Sequence, residues 1–337
     1  MIDDSDLTSL LQMRKSLWAQ HPIVSAGAVL PTRPLGWVTS IVIMCGRRQR
    51  SAVAFWAHPL SGKSSCIEVL VRVLPTHFPG CGILVHEATS SLVLAEGTFT
   101  ADLLHSMDYE LKIRHELAEK RNQLRRALYA LGADGEHIFI LIDEAQELAE
   151  MELCWLKGAI NWLIGRKLKV TVVLFGQHEL MWLRNGLASD GRSDLNARFT
   201  ATLRELESPT KLIDVLPALE ACDQGSEWPD GSGWSYTHFL WPRAFEAGMR
   251  LTNHANAMWR AFEHAGMNTK GRASGVSMNY FADALASLAD LTRESDSSDF
   301  QFTKEHWAQA VINCGYAERP LLVKTKNREH APRRRGR

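Results

Sequence analysis

The chain has 337 residues, 45% of them apolar, enough for one large core and a smaller second one. Its 38 basic and 38 acidic side chains cancel to a formal net charge of zero, and no apolar run approaches the length that spans a bilayer. Cysteines at 45, 66, 81, 154, 222 and 314 show no Cys-x-x-Cys spacing, which argues against zinc and disulfide frameworks and fits a reducing cytoplasm.

Residues 1–50 lack a clear period. Leu7, Leu10, Leu11 and Leu17-Trp18 predict a short helix, and the acidic start Met1-Ile2-Asp3-Asp4 is unlike a secretory signal. Prolines at 22, 31 and 34 then predict an extended segment. From residue 51 the pattern becomes strand, loop and helix. Ala52–Trp56 reads as a strand. Residues 62–74 read as a helix with Ile67, Leu70, Val71 and Leu74 on one face, ended by Pro75 and Pro79-Gly80. A second strand covers 82–86. A long helix carrying Leu111, Leu117, Leu124 and Leu128 stops at Gly132, and the apolar strand 138–142 follows.

A helix over 146–165 leads to a strand at 169–175 and then Gly176-Gln177. Leu212–Leu216 reads as one more strand before Pro217. Residues 222–236 are rich in turn formers, and 238–265 and 277–292 predict the helices of a small lid. Strands alternating with helices predict an α/β fold, a parallel sheet flanked by helices. The expected division is an N-terminal extension (1–50) that could contact a partner, a nucleotide-binding core (51–221), a loop and helical lid (222–320) and a basic tail (321–337).

Two segments carry chemistry. Ala57-His58-Pro59-Leu60-Ser61-Gly62-Lys63-Ser64-Ser65 leaves a strand and opens a helix, the context of a phosphate-binding loop. Backbone N–H groups around Pro59, Ser61, Gly62, Ser64 and Ser65 can wrap a phosphate. The Lys63 ammonium can reach the β and γ oxygens, and the Ser64 hydroxyl can ligate Mg²⁺. The strand 138–142 ends in Asp143 and Glu144. Asp143 is placed to sit near the metal, and Glu144 to act as the base that orients an attacking water. Ala57 stands where such loops usually begin with glycine, which puts the hydrolysis rate in question more than nucleotide binding.

Gln177, just past a buried strand, can hydrogen-bond the γ-phosphate or the water; the alternative is a turn residue serving local backbone. Arg198, in Leu195-Asn196-Ala197-Arg198-Phe199, can be supplied to a neighbouring subunit's transferring phosphoryl group. It can equally be a surface arginine, and Arg192 and Arg204 compete for the role. Arg250 can touch the γ-phosphate from the lid, or simply sit on a helix face. Lys112, Arg114, Lys120, Arg121, Arg125 and Arg126 recur at helical spacing and form either a solvated face or a contact to DNA phosphates. The tail 321–337 holds seven Lys/Arg against one acid, Glu329, and reads as a disordered arm for DNA or an acidic surface, or as a solubilising tail. No histidine pair has HxxxH or HExxH spacing, so metal-site readings there are weak.

Taken together, Ser61-Gly62-Lys63-Ser64-Ser65, Leu141-Ile142-Asp143-Glu144-Ala145-Gln146-Glu147-Leu148, Val173-Leu174-Phe175-Gly176-Gln177-His178-Glu179-Leu180 and Leu195–Phe199 resemble the AAA+ ATPases around TnsC, TniB and MuB, regulators of DNA transposition. ATP-binding proteins of the ExeA type share some of these phrases. The resemblance covers about 50–260, and the lead-in from His21-Pro22 to Arg47 is also similar to that of TnsC proteins. It implies an ATPase using ATP and Mg²⁺ that assembles as a ring or filament on duplex DNA. It would link a target-selection protein of TniQ type to a transposase, and hydrolysis would dismantle the assembly. On that pattern Gln177 is the first sensor, Arg198 the finger acting in trans and Arg250 the second sensor. The alternatives are a nucleotide-switched ExeA-like scaffold that never grips DNA, which the lack of a spanning segment disfavours, and a helicase-loader-type ATPase.

Overall fold

The computed structural model describes residues 4–48, 52–91, 93–110, 112–267 and 275–318. The basic tail and Leu111 lie outside them. The element order opens with α1 (Asp4–Leu17), α2 (Arg33–Arg47), β1 (Ala52–Trp56), α3 (Lys63–His77) and β2 (Gly82–Glu87). It continues with α4 (Glu96–His105), α5 (Leu117–Gly132), β3 (His137–Asp143), α6 (Glu150–Ile164) and β4 (Lys169–Gly176). Next come α7 (Leu180–Ser189), the single turn α8 (Ser193–Leu195) and β5 (Leu203–Glu205). The remaining helices are α9 (Leu212–Glu220), α10 (Tyr236–Leu240), α11 (Pro242–Glu246), α12 (Ala255–Phe262), α13 (Met278–Leu291) and α14 (Lys304–Asn313).

The five strands form one sheet in the order β2-β3-β4-β1-β5, and every pairing is parallel. The run Ile138–Ile142 explains why β3 lies inside the sheet, between β2 and β4. Its alternate side chains enter two different cores, so no residue of it can face water. Ile138, Ile140 and Ile142 pack under α4, α5 and α6. Phe139 and Leu141 pack under α2 and α3 on the opposite face. Burying each such side chain contributes about 1.5–3 kcal/mol, so this strand anchors the acids that follow it.

Several expectations change. Residues 33–47 are helix rather than extended chain. Pro34 sits in the first turn, where its missing N–H costs nothing, and the Thr32 hydroxyl caps the helix by accepting from Leu35 N at 3.3 Å. Residues 212–216 are not a strand but the first turns of α9. Asp214 reaches back to accept from the backbone N of Thr210 and Lys211, both at 3.0 Å, and so fixes the helix start. The fifth strand is instead the three-residue β5, which pairs Leu203 with Ala54. The basic run is not one helix, since α5 begins at Leu117 and leaves Lys112 and Arg114 in the loop before it.

A separate core gathers α9 to α14 around Phe239, Trp241, Phe262 and Trp307. This second core therefore starts near residue 212, and residues 238–265 form a series of short helices rather than one. Residues 18–47 contribute to both cores. Trp18, Ile23 and Leu30 enter the lid core, while α2 belongs to the sheet. His21 is fully buried, stacked on Phe239 and edge-on to Tyr236, and burial pulls its imidazole down to about 3. It packs there as a neutral aromatic ring. No helix among the described residues is long and apolar enough to cross a membrane.

Candidate nucleotide site

Parallel pairing delivers three chain ends to one edge of the sheet. Register sets Trp56 beside Gly176 and Ile142 beside Leu174, so the residues after β1, β3 and β4 emerge together. This is the edge where open α/β sheets bind ligands. The loop after β1 turns through Leu60 and Gly62, which have positive φ of 64° and 89°. Gly62 then caps α3. Ala57 is outside that conformation; it is buried, and its N–H donates to Gly176 O at 3.0 Å. An alanine at the head of this loop therefore carries no backbone strain.

Lys63, only 8% exposed, brings its ammonium to 3.7 Å from Glu144 Oε1. The Ser64 hydroxyl donates to Asp143 Oδ2 at 3.1 Å, and Asp143 Oδ1 accepts from Glu144 N at 2.9 Å. Gln177 Nε2 donates to Glu144 Oε2 at 3.1 Å. Burial pushes the Glu144 carboxyl upward, but donation from Gln146 and Gln177 and the charge of Lys63 together hold it below the usual glutamate range. Glu144 is thus poised as a carboxylate, the form a base requires.

These groups surround a cavity of about 360 Å³. Pro59, Ser61, Gly62, Lys63, Ser64, Ser65, Glu144 and Gln177 line it, and Asp143 joins through its bond to Ser64. A volume of that order suits a small-molecule site. A Ser64 hydroxyl and an Asp143 carboxylate within 3.1 Å present oxygen only, which suits Mg²⁺, an ion that takes few protein ligands. Among the described residues no group of three His, Cys, Asp or Glu could hold another metal.

The far wall was not anticipated. Ala26, Leu30, Thr32 and Leu35 come from the N-terminal segment, Leu206 and Pro209 from the chain after β5, and Met278, Asn279 and Ala282 from α13. A methyl group placed on Gly62 would lie 3.6 Å from Met278 Cβ, so the first turn of α13 sits directly on the phosphate loop.

Arg250, expected to touch a γ-phosphate from the lid, is not brought there. Its guanidinium lies 3.5 Å over the Phe245 ring and donates to the carbonyls of Phe245 and Met249, both at 2.7 Å. It precedes a short 3-10 turn, and the positive φ of 97° at Gly248 turns the chain so that Arg250 faces its own subdomain. Arg250→Ala should therefore leave ATP affinity within about twofold while lowering the melting temperature. The loss involves a cation–π contact of about 0.5–1 kcal/mol plus two hydrogen bonds. Calorimetric titration beside a melting curve checks both.

Arg198 lies outside its own cavity, in a π-helical turn, and donates to Asn161 Oδ1 at 3.0 Å. Arg192 is tied to Glu150 and Asp194. Arg204 lies on β5, 6.0 Å from the Trp37 ring. Of the six basic residues read as a solvated face or a DNA contact, Lys112, Arg114, Lys120 and Arg121 divide in two. Lys112 and Arg114 are exposed. Lys120 donates to Gly97 O at 3.0 Å and Arg121 pairs with Glu96, so both serve the packing of α5 on α4.

Residues 47–182 match the family described as AAA domain. The strand order, the loop after β1 and the acid pair after β3 agree with that match. The fold is AAA+. An ORC2 protein of Aeropyrum pernix, solved in ADPNP and ADP complexes, superposes with a TM-score of 0.56 at 11% identity, over 87% of this chain and 71% of that one. A Cdc6p from Pyrobaculum aerophilum gives 0.51 at 14% identity, over 82% and 66%. At these identities the likeness concerns the fold. No curated protein sequence matches the chain.

Proposed function

We propose that the chain is a Mg²⁺-dependent ATPase that assembles on duplex DNA and is switched by hydrolysis. One observation carries this reading: Lys63, Ser64, Asp143, Glu144 and Gln177 meet around one cavity although they come from three separate strand ends. Lys63 and the loop amides hold the β- and γ-phosphates. Ser64 and Asp143 would hold Mg²⁺, which when bound would neutralise phosphate charge. Glu144 takes a proton from water as its oxygen attacks the γ-phosphorus and the bond to ADP breaks. Gln177 orients the water or the γ-phosphate.

Arg198 acts on the cavity of a neighbouring copy, in keeping with its position outside its own. Leu60 and Trp182, 53% and 62% exposed beside the phosphate loop and on α7, give that copy apolar surface to cover. The biological role we assign is regulation of DNA transposition, linking a target-selection protein of TniQ type to a transposase. It rests on the phrases Asp143-Glu144-Ala145-Gln146 and Gly176-Gln177 and on Leu195–Phe199, which resemble the TnsC, TniB and MuB group. The likeness to ORC2 and Cdc6p concerns the fold. Residues 51–211 act as the nucleotide core and the helices from α9 onward as the lid. Electron microscopy with ATP, Mg²⁺ and duplex DNA tests the assembly: rings or filaments are expected, and monomers under every nucleotide condition would refute it.

DNA contact is placed on the exposed loop carrying Lys112 and Arg114. Neutralising both should weaken duplex binding at all sequences and lower the slope of log affinity against log salt by about two. Arg121→Ala should leave that slope unchanged and reduce thermal stability, because its partner Glu96 is on the same subunit. Fluorescence anisotropy across a salt series separates the two.

A further inference from the structure

We infer that Gln146 is the positioning residue of this site, fixing the Glu144 carboxylate and the Gln177 backbone relative to one another; the inference rests on the ATPase reading. Gln146 Nε2 donates to Glu144 Oε2 at 2.5 Å, and Gln146 Oε1 accepts from Gln177 N at 2.9 Å. One amide therefore spans the ends of β3 and β4 and uses its donor and its acceptor in opposite directions. A hydrocarbon side chain can do neither, and a carboxylate can do only the second.

Two further observations make this a built arrangement. Glu144 adopts a positive φ of 48°, and the 3-10 turn Ala145–Glu147 that follows folds Gln146 back over the sheet edge. There its Oε1 lies where a side chain on residue 176 would begin. A methyl group added to Gly176 would come within 2.8 Å of it, so glycine at the end of β4 leaves the gap the amide fills.

The geometry also divides the partners of Glu144 by task. Lys63 and Gln177 line the cavity and face whatever phosphate enters it. Gln146 does not line it. When an anion draws on the first two, Gln146 remains to hold the carboxylate in place. It acts through Glu144 and Gln177, the two groups it bonds. Groups in such supporting positions matter because small errors in the placement of a reacting group cost large factors in rate.

The test uses the full chain in single-turnover hydrolysis of ATP with Mg²⁺, with ATP affinity and melting temperature measured alongside. Gln146→Leu should lower the hydrolysis rate at least about tenfold while ATP affinity stays within about twofold. Gln146→Glu keeps the length of the side chain and the acceptor toward Gln177 N, but sets a second carboxylate where the donor to Glu144 stood, so it should slow hydrolysis as Gln146→Leu does. A rate loss at unchanged ATP affinity is a split that a merely structural role would not produce. An unaltered rate in both variants, with the parent chain turning over, would overturn the inference. No turnover by the parent chain in any assembly state would overturn the ATPase reading, and with it this inference.

Discussion

Glu144→Gln is expected to slow ATP turnover by about two to four orders of magnitude, the range that a positioned general base supplies. ATP affinity should change little. The substitution keeps the side-chain volume and the acceptor toward Gln146 and Gln177, and it removes only a weak ion pair with Lys63 at 3.7 Å. The rate loss should appear in kcat rather than in KM, as for an interaction made in the transition state. In the proposed account this variant should also form longer-lived assemblies on duplex DNA, since hydrolysis is what releases them. Radiolabelled ATP hydrolysis and dissociation kinetics from DNA measure the two effects in one preparation. Wild-type turnover in this variant would remove Glu144 from the chemistry.

Lys63→Ala should act on binding instead. An ammonium that bridges two phosphate oxygens makes two charge-assisted hydrogen bonds, and losing them costs about 3 kcal/mol or more. That corresponds to a loss of affinity of about a hundredfold. The side chain is 8% exposed and lies at the start of α3, so its ammonium cannot be replaced by a neighbour from solvent. The nearest cation expected from the lid, Arg250, is committed to the carbonyls of Phe245 and Met249. Calorimetric titration of ATP with Mg²⁺ into both proteins checks the ratio. Equal affinities would remove the phosphate loop from the account.

What could be read in advance was the chemistry that is local in the chain. The run Ile138–Ile142 is too apolar to be anything but buried, and two carboxylates directly after it must surface at the sheet edge. Gly62-Lys63-Ser64 after a strand is likewise a contiguous signal. Pairs such as Lys63 with Glu144 follow once the sheet is parallel, because all the relevant strand ends share one side.

Tertiary contacts were less legible. Leu212-Ile213-Asp214-Val215-Leu216 fits a strand or a helix equally in isolation, and its membership of the lid core with Phe239 and Phe262 decides for helix. The prolines at 31 and 34 suggested extended chain, whereas Thr32 and Pro34 mark a helix start that needed the Thr32 cap to be recognised. Arg250 was misplaced because the lid is a series of short helices whose turns set its direction. Met278 and Asn279 reach the cavity from more than two hundred residues beyond Gly62, with no local mark. Gln146 was detectable in principle, as an amide two residues past the acid pair. Its value emerges only when Gly176 on the next strand leaves room for it.

The central claim is that a triphosphate and its metal are held between the loop after β1 and the acids after β3. The most direct measurement is an experimental structure of the full chain with Mg²⁺ and a non-hydrolysable ATP analogue. The expected result is a terminal phosphate on the Lys63 ammonium, the metal on the Ser64 hydroxyl beside Asp143, and Glu144 facing the γ-phosphorus across one water. An analogue bound elsewhere, or phosphates that leave Lys63 untouched at saturation, would contradict it.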